Sequence, residues 1–173
     1  MKTSLISGNI TASTHLAVLG ALALLGSCAS PVMAATLSRS VEVNGSPAQV
    51  WSAIGPFCAI KDWLPPVGAC SEDGKLPPTR TLVTKDGKAT FVELQTARSE
   101  AEHSYTYVFK SSPLPVTQYT STIKVSPKGE GVSTVTWSGA YTPNAGKEQD
   151  AMAALNGIYD AGLTSIQAKF AKP

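Results

Sequence analysis

From Thr79 to Tyr141 the chain is written in alternating runs, and after Lys147 the alternation stops. "TRTLVTK", "TFVELQTA", "HSYTYVFK", "QYTSTIKVS" and "VSTVTWSGAY" carry β-branched and aromatic residues at period two, the pattern of half-buried strands. "KDGK", "KSSPLP" and "PKGEG" are turn signals between them, and links this short favour an antiparallel meander. In the last segment Met152, Leu155, Tyr159, Leu163, Ile166 and Phe170 recur at three and four, the stripe of an amphipathic helix. Glu148 and Asp150 near its start, and Lys169 and Lys172 near its end, suit the helix dipole. A sheet with one apolar face and a helix with one apolar stripe must cover each other. Gly157 and Gly162 each cost such a helix about 1 kcal/mol relative to Ala. They point to close packing on the sheet or to space left for something else.

Ahead of the meander, "LSRSVEVN" (Leu37–Asn44) alternates and predicts an opening strand. Ser46 as N-cap and Pro47 at the first helical position then start a short helix, with Val50, Trp51 and Ile54 at helical spacing. "FCAIKDW" predicts a second short helix, stopped by Pro65 and Pro66.

The first residues have another character. Lys2 is the only charged residue before Arg39, and Leu16–Leu25 is an apolar run too short to span a bilayer. A basic start, a short apolar core and small residues in "GSCASPVMAA" predict a secretory signal peptide over residues 1–34, ahead of a single domain at 35–173. Two exits compete. "VMA" before Ala35 suits ordinary cleavage to a soluble product, and lies just before the first strand; "LLGSC" resembles a lipobox and would leave a lipid anchor on Cys28. Both predict an exported protein, periplasmic or secreted.

Export decides the cysteine question. In an oxidising compartment thiols pair by default, and with Cys28 removed or lipidated only Cys58 and Cys70 are left to form a disulfide. A zinc site needs more ligands at shorter spacing, and a thiol nucleophile needs a base, for which His103 is the only histidine outside the leader. No metal or cofactor is expected. Lysines and arginines number 14 against 12 acids, and the leader takes away only Lys2. So even a balance makes no general field for nucleic acid or an anionic membrane. No later apolar segment is long enough for a membrane span.

Strand, two short helices, strand meander and long C-terminal helix together make up the α+β, helix-grip order. "SPAQVWSAIGPF", then "W-x-P" and "C", then "TRTL", "DG", "SYTYVF", "PLPVTQY" and "STVTWSGAY" resemble, in order and spacing, the polyketide cyclase/dehydrase branch of the START-like (SRPBCC) superfamily. The resemblance covers Val41 to Phe170 and implies the helix-grip (START-like) fold, a curved antiparallel sheet wrapped around the last helix. In size, leader and domain the chain is also similar to the MxaD-like periplasmic proteins encoded with bacterial methanol oxidation systems.

The resemblance implies a cavity between sheet and helix, opening at the loops, that holds lipids, hormones or polyketides. It sets Ser112–Val116, with Leu114, where a closing loop lies in plant hormone receptors, and Glu93 where those receptors carry a cavity carboxylate. After Trp63, where relatives often have Lys or His, this chain has Leu64. The anchor for an acidic ligand is missing, so hormone reception is not carried over.

Alternation puts Tyr105, Tyr107 and Phe109 on one face of their strand, Tyr119, Ile123 and Val125 on one face of the next, and Val135, Trp137 and Tyr141 on a third. So many hydroxyls on an inward wall need partners. They line a cavity, with Tyr159 facing them from the helix, or they belong to a filled core with hydroxyls at its rims. Glu93 is open in the same way. Facing water, the reading ordinary strand chemistry favours, it does nothing; facing a cavity, it anchors a ligand or acts as a base. With Leu64 and no compensating cation beside Glu93, such a cavity is expected to prefer neutral or amphipathic ligands. Its mouth is expected near Trp63, Leu64 and the Ser112–Val116 loop. His103, in the turn "SEAEH", is expected at the surface, and Lys61 and Asp62 as an exposed pair.

The sequence has no nucleophile elbow, phosphate loop, metal cluster or pair of carboxylates at informative spacing. Three functions remain: a non-catalytic binding protein for a small apolar or amphipathic molecule; an accessory protein for a periplasmic dehydrogenase or cytochrome, as the MxaD-like resemblance implies; and a cyclase or dehydratase using Glu93 and a tyrosine. The first two stand ahead of the third.

Overall fold

The alternating runs pair with one another in the order they occur. In the computed structural model, which describes residues 33–171 and Met1, β1 is Ala35–Asn44 and α1 Pro47–Ile54. A 3-10 turn at Phe57–Ala59 runs into α2, Ile60–Trp63. Then come β2 (Val67–Glu72), β3 (Thr79–Thr84), β4 (Thr90–Ser99), β5 (Ser104–Ser111), β6 (Val116–Gly129), β7 (Val132–Pro143) and α3 (Glu148–Lys169). The expected signal peptide, Met1, Met33 and Ala34 apart, lies outside the described residues, as do Cys28 and Lys172. No described helix is long and apolar enough to cross a membrane.

Strands β2 to β7 are antiparallel neighbours in sequence order, and β1 adds to β7, giving a seven-stranded sheet ordered β1-β7-β6-β5-β4-β3-β2. The chain leaves one edge at β1 and re-enters at the other edge at β2. The short helices make that crossing. α1 starts as the sequence predicts: Ser46 accepts from the Gln49 backbone, Gln49 Oε1 accepts from the Ser46 backbone, and Pro47 holds the first position. Val50, Trp51 and Ile54 of α1 and Ile60 and Trp63 of α2 are buried.

The inner face of the sheet carries Val43, Leu82, Tyr105, Tyr107, Tyr119, Ile123, Val125, Val135, Trp137 and Tyr141, all buried. Against it α3 lays Ala151, Leu155, Tyr159, Gly162, Leu163 and Ile166. Gly162 is the glycine that close packing demanded: a Cβ there would stand 2.8 Å from the Trp137 ring and 3.2 Å from Trp63. Gly157, by contrast, is exposed with nothing near its missing Cβ.

Two sequence expectations are corrected. Met152 does not face the sheet; it is 52% exposed, and the buried position is its neighbour Ala151. The inward line runs Ala151, Leu155, Tyr159, Leu163, and one residue of offset turns a helical side chain by about 100°. A spacing of three to Leu155 pointed to the methionine; the spacing of four, to Ala151, is the one buried. Strand β2, "VGACSE", was not expected at all. It is an edge strand in which only Val67 is buried, so it lacks the alternation by which strands are read. The Cys58–Cys70 disulfide ties this edge to the 3-10 turn, with Cα atoms 5.5 Å apart.

Replacing Ile166, fully buried, by Ala is expected to cost about 2–5 kcal/mol in denaturant unfolding, whereas Met152→Ala stays within about 0.5 kcal/mol. Equal losses would mean α3 docks in another phase. Thiol labelling of denatured, unreduced protein is expected to leave Cys58 and Cys70 unmodified, and Cys58→Ser to cost about 3 kcal/mol through the lost loop constraint. Stoichiometric labelling of both would contradict the bridge.

Candidate functional site

Between α3 and the half of the sheet nearer β2, the two faces do not close completely. They leave a cavity of about 220 Å³. Tyr107, Tyr119, Trp137 and Glu93 reach it from the sheet, Leu155 and Ile158 from α3, and Ile60, Leu64, Pro66 and Val67 from the segment inside the disulfide loop. Leu82, Thr84, Phe91 and Phe109 complete the wall. Pro66 is exposed and Thr84, Phe91, Phe109 and Ile158 are half-buried, which marks the open side. Aromatic contacts stiffen the wall: Phe109 stacks on Tyr119 with ring centres 3.9 Å apart, and Trp137 stacks on Tyr159 at 4.2 Å.

The polar end of this apolar space has a definite order. Ser121 Oγ lies 2.9 Å from the Ser138 carbonyl, which can only accept, so Ser121 gives its proton there. It then accepts from Tyr159 at 2.7 Å and from the Trp137 indole at 2.8 Å. With its proton on Ser121, Tyr159 accepts from Tyr119 at 2.9 Å. Tyr119 can in turn only accept from Tyr107, at 3.4 Å. Every proton therefore runs one way, from Tyr107 through Tyr119 and Tyr159 to Ser121 and the backbone. Gly139 makes this possible: a Cβ there would lie 2.5 Å from the Tyr159 hydroxyl. Burial holds Tyr107 and Tyr119 well above the ordinary phenol range, and pushes Tyr159 up to about 12. At neutral pH these hydroxyls are donors, not bases.

Glu93 stands apart from the chain and points inward, 4% exposed, so the water-facing reading fails. Its partner is Arg80, directly opposite on β3, whose Nε donates to Glu93 Oε2 at 2.6 Å. Arg80 also donates to the Phe57 carbonyl, and its guanidinium lies 4.0 Å from the Phe57 ring centre. Burial pushes the Glu93 carboxyl up, and Arg80 pulls it back only in part. Burial also works against the Arg80 cation, but Glu93 beside it holds the guanidinium above its ordinary value. Since the guanidinium keeps its charge, a neutral carboxyl would leave a bare buried cation, so the pair holds the carboxylate form. The expectation that Glu93 lacks a compensating cation is thus overturned. Arg80 shares a face with Leu82 in "TRTLVT", a charge standing in phase with the core.

Five of the ten residues expected at a cavity meet there: Leu64, Glu93, Tyr107, Tyr119 and Trp137. The other five lie elsewhere. Trp63 sits behind the wall, edge-on to Trp137 at 5.4 Å. Tyr159 is behind Trp137 and touches the space only through its hydrogen bonds. Tyr105 packs between Trp51 and Phe57, ring centres 5.9 and 5.5 Å away. Tyr141 is buried further along β7. Leu114 is half-buried outside the lining, in a loop tied to Asn144 through the Pro115 carbonyl. The Ser112–Val116 loop therefore does not border the cavity. His103 is half-buried beside Trp51 in its turn, and Lys61 and Asp62 form an exposed pair. Among the described residues no group of His, Cys, Asp and Glu is placed to hold a metal.

Sheet, gripped helix and the cavity between them define a helix-grip domain. A family described as polyketide cyclase/dehydrase and lipid transport matches residues 34–171. The chain belongs to this family, within the START-like (SRPBCC) proteins. Among solved structures it is similar to the protein XoxI from Bacillus cereus, at 36% identity over 79% of this chain and 95% of that one, with a TM-score of 0.74. A protein from Thermobifida fusca matches at 28% identity over 78% of this chain and 92% of its own, TM-score 0.69. Norcoclaurine synthase from Thalictrum flavum shares the fold at 17% identity over 78% and 92%, TM-score 0.64. No curated protein matches the chain.

The ion pair gives a direct test. Arg80→Met or Glu93→Met alone is expected to cost about 3–5 kcal/mol of unfolding free energy, because each strands the other partner's buried charge. The double change Arg80→Met with Glu93→Met is expected to cost much less than the sum. Additive losses in this double-mutant cycle would mean the two side chains act independently.

Proposed function

We propose that this domain is a non-catalytic binding protein for a small, neutral, largely apolar molecule, held between the sheet and α3. The carrying observation is the cavity itself, an apolar space bordered by a few hydrogen-bonding groups, Glu93, Tyr107 and Tyr119 among them, the usual form of a small-molecule site. A cavity of roughly 150 Å³ takes benzene, so about 220 Å³ suits one ring with a short substituent. The family's description, with its lipid transport, agrees with an apolar cargo. Charge selection follows from position. Arg80 neutralises Glu93 from behind, and among the described lining residues Glu93 is the only charged one, so a carboxylate ligand meets an anion first. The leader and the disulfide support work outside the cytoplasm, after loss of residues 1–34.

The catalytic reading has one observation in its favour: Glu93, raised by burial, borders the cavity near phenols that keep their protons. The accessory reading, with a periplasmic dehydrogenase or cytochrome as partner, rests on the MxaD-like resemblance and stands behind the cavity reading.

Titration with p-xylene, followed by NMR shifts of the Tyr107, Tyr119 and Trp137 ring protons, is expected to saturate. Ile158→Trp, which covers the half-open side, is expected to weaken binding at least about tenfold, and p-toluate to bind more weakly than p-xylene. An absence of saturable shifts would remove the cavity reading; tighter binding of p-toluate would remove the charge argument.

A further inference from the structure

The proton order in the tyrosine chain says more than that the site is polar at one end. Ser121, Tyr159 and Tyr119 each have their single proton committed to a neighbour 2.7 to 2.9 Å away. Tyr107 heads the chain, and its proton has only the 3.4 Å contact to Tyr119. That is a long O–H···O separation, beyond the usual range. The hydroxyl oxygen of Tyr107 is already approached by the Trp137 indole at 3.2 Å, so it offers its proton more readily than its lone pairs. At this end, then, the cavity presents a weakly held donor.

Glu93 presents the complement. Arg80 takes Oε2, and among the described residues no group donates to Oε1. Glu93 lines the cavity and Arg80 does not, so the space meets the carboxylate rather than the guanidinium. The residues opposite Glu93 and Gln95 on β5 are Phe109 and Tyr107, which makes Glu93 and Tyr107 diagonal neighbours on one face of the sheet. Diagonal neighbours stand about 7–8 Å apart at the backbone. No hydrogen bond joins the two side chains among the described residues, although both border the same space. A group lying between them must accept from one and donate to the other.

We infer that the ligand carries a neutral hydroxyl, on a phenol or a compact alcohol, that accepts from Tyr107 and donates to Glu93 Oε1. One hydroxyl can do both. An ether or ketone satisfies Tyr107 and leaves the carboxylate oxygen unpaired; a hydrocarbon satisfies neither; a carboxylate repels Glu93. The inference rests on the cavity reading above and adds the chemistry of the ligand's polar group.

Four probes that share the p-tolyl ring separate these cases on the purified protein: p-cresol, p-methylanisole, p-xylene (the isostere of p-cresol) and p-toluate, titrated by NMR. p-Cresol is expected to bind about tenfold more tightly than p-methylanisole or p-xylene, roughly the worth of one charge-assisted hydrogen bond. Tyr107→Phe, which leaves the Trp137 indole its bond to Ser121, is expected to narrow the preference for p-cresol over p-xylene without abolishing it, because the bond to Glu93 remains. Equal affinity for cresol, ether and hydrocarbon would overturn the hydroxyl inference while the cavity reading stood. Failure of all four probes to bind would overturn both. If Tyr107→Phe does not fold, the ranking of the probes on the unaltered protein still decides.

Discussion

A polar atom trapped between a sheet and the helix that covers it has to find its partner there, because water is excluded. In this protein that constraint organises the interior. Tyr159 on α3 can be buried only because Ser121 and Tyr119 on β6 receive it, and only because Gly139 on β7 leaves room for its hydroxyl. The chain ends on a backbone carbonyl, so the network is closed at one end and open at the other, toward the cavity. Apolar packing decides that α3 lies on the sheet. The hydroxyl chain decides where.

The Arg80–Glu93 pair obeys the same rule at a higher cost. Moving two charges out of water is offset only when geometry is good and the remaining hydrogen bonds are met. Here Nε meets the carboxylate and Nη1 the Phe57 carbonyl, while Arg80 Nη2 has no partner among the described residues. Well-packed apolar residues in place of such a pair are often as stable or more so. The pair therefore contributes less to stability than to position: it fixes one oxygen of a carboxylate that borders the cavity and leaves the other without a donor among the described residues. It also ties β3 and β4 to the 3-10 turn that opens the disulfide loop, and that loop supplies Ile60, Leu64, Pro66 and Val67 to the same wall.

Legibility in the sequence followed periodicity. Five strands of the meander, β1, the capped start of α1 and the burial of Tyr105, Tyr107, Tyr119, Trp137 and Tyr141 all came from alternation or capping chemistry, and the structure has them. The failures share a cause. β2 is an edge strand with a single buried residue, so it leaves no pattern. Met152 stands three residues before Leu155 and Ala151 four, both allowed spacings on one helix face, and the structure buries Ala151. Arg80 was passed over because a charged residue is rarely read as core, although its position relative to Leu82 put it there.

The sequence by itself determined the layers, because a period-two stretch has one apolar face, a period-3.6 stretch has one apolar stripe, and each can be buried only by the other. It determined that tyrosine hydroxyls would be inside, and that they would need partners. It could not say which partners, because Ser121, Gly139 and Tyr159 are separated along the chain and meet only when β6, β7 and α3 are stacked. Nor could it say that Arg80 and Glu93 face one another, since that depends on the register of β3 against β4. The cavity belongs wholly to the tertiary structure. It is the volume left when the last side chains of two well-matched faces fail to touch, and no single residue encodes it.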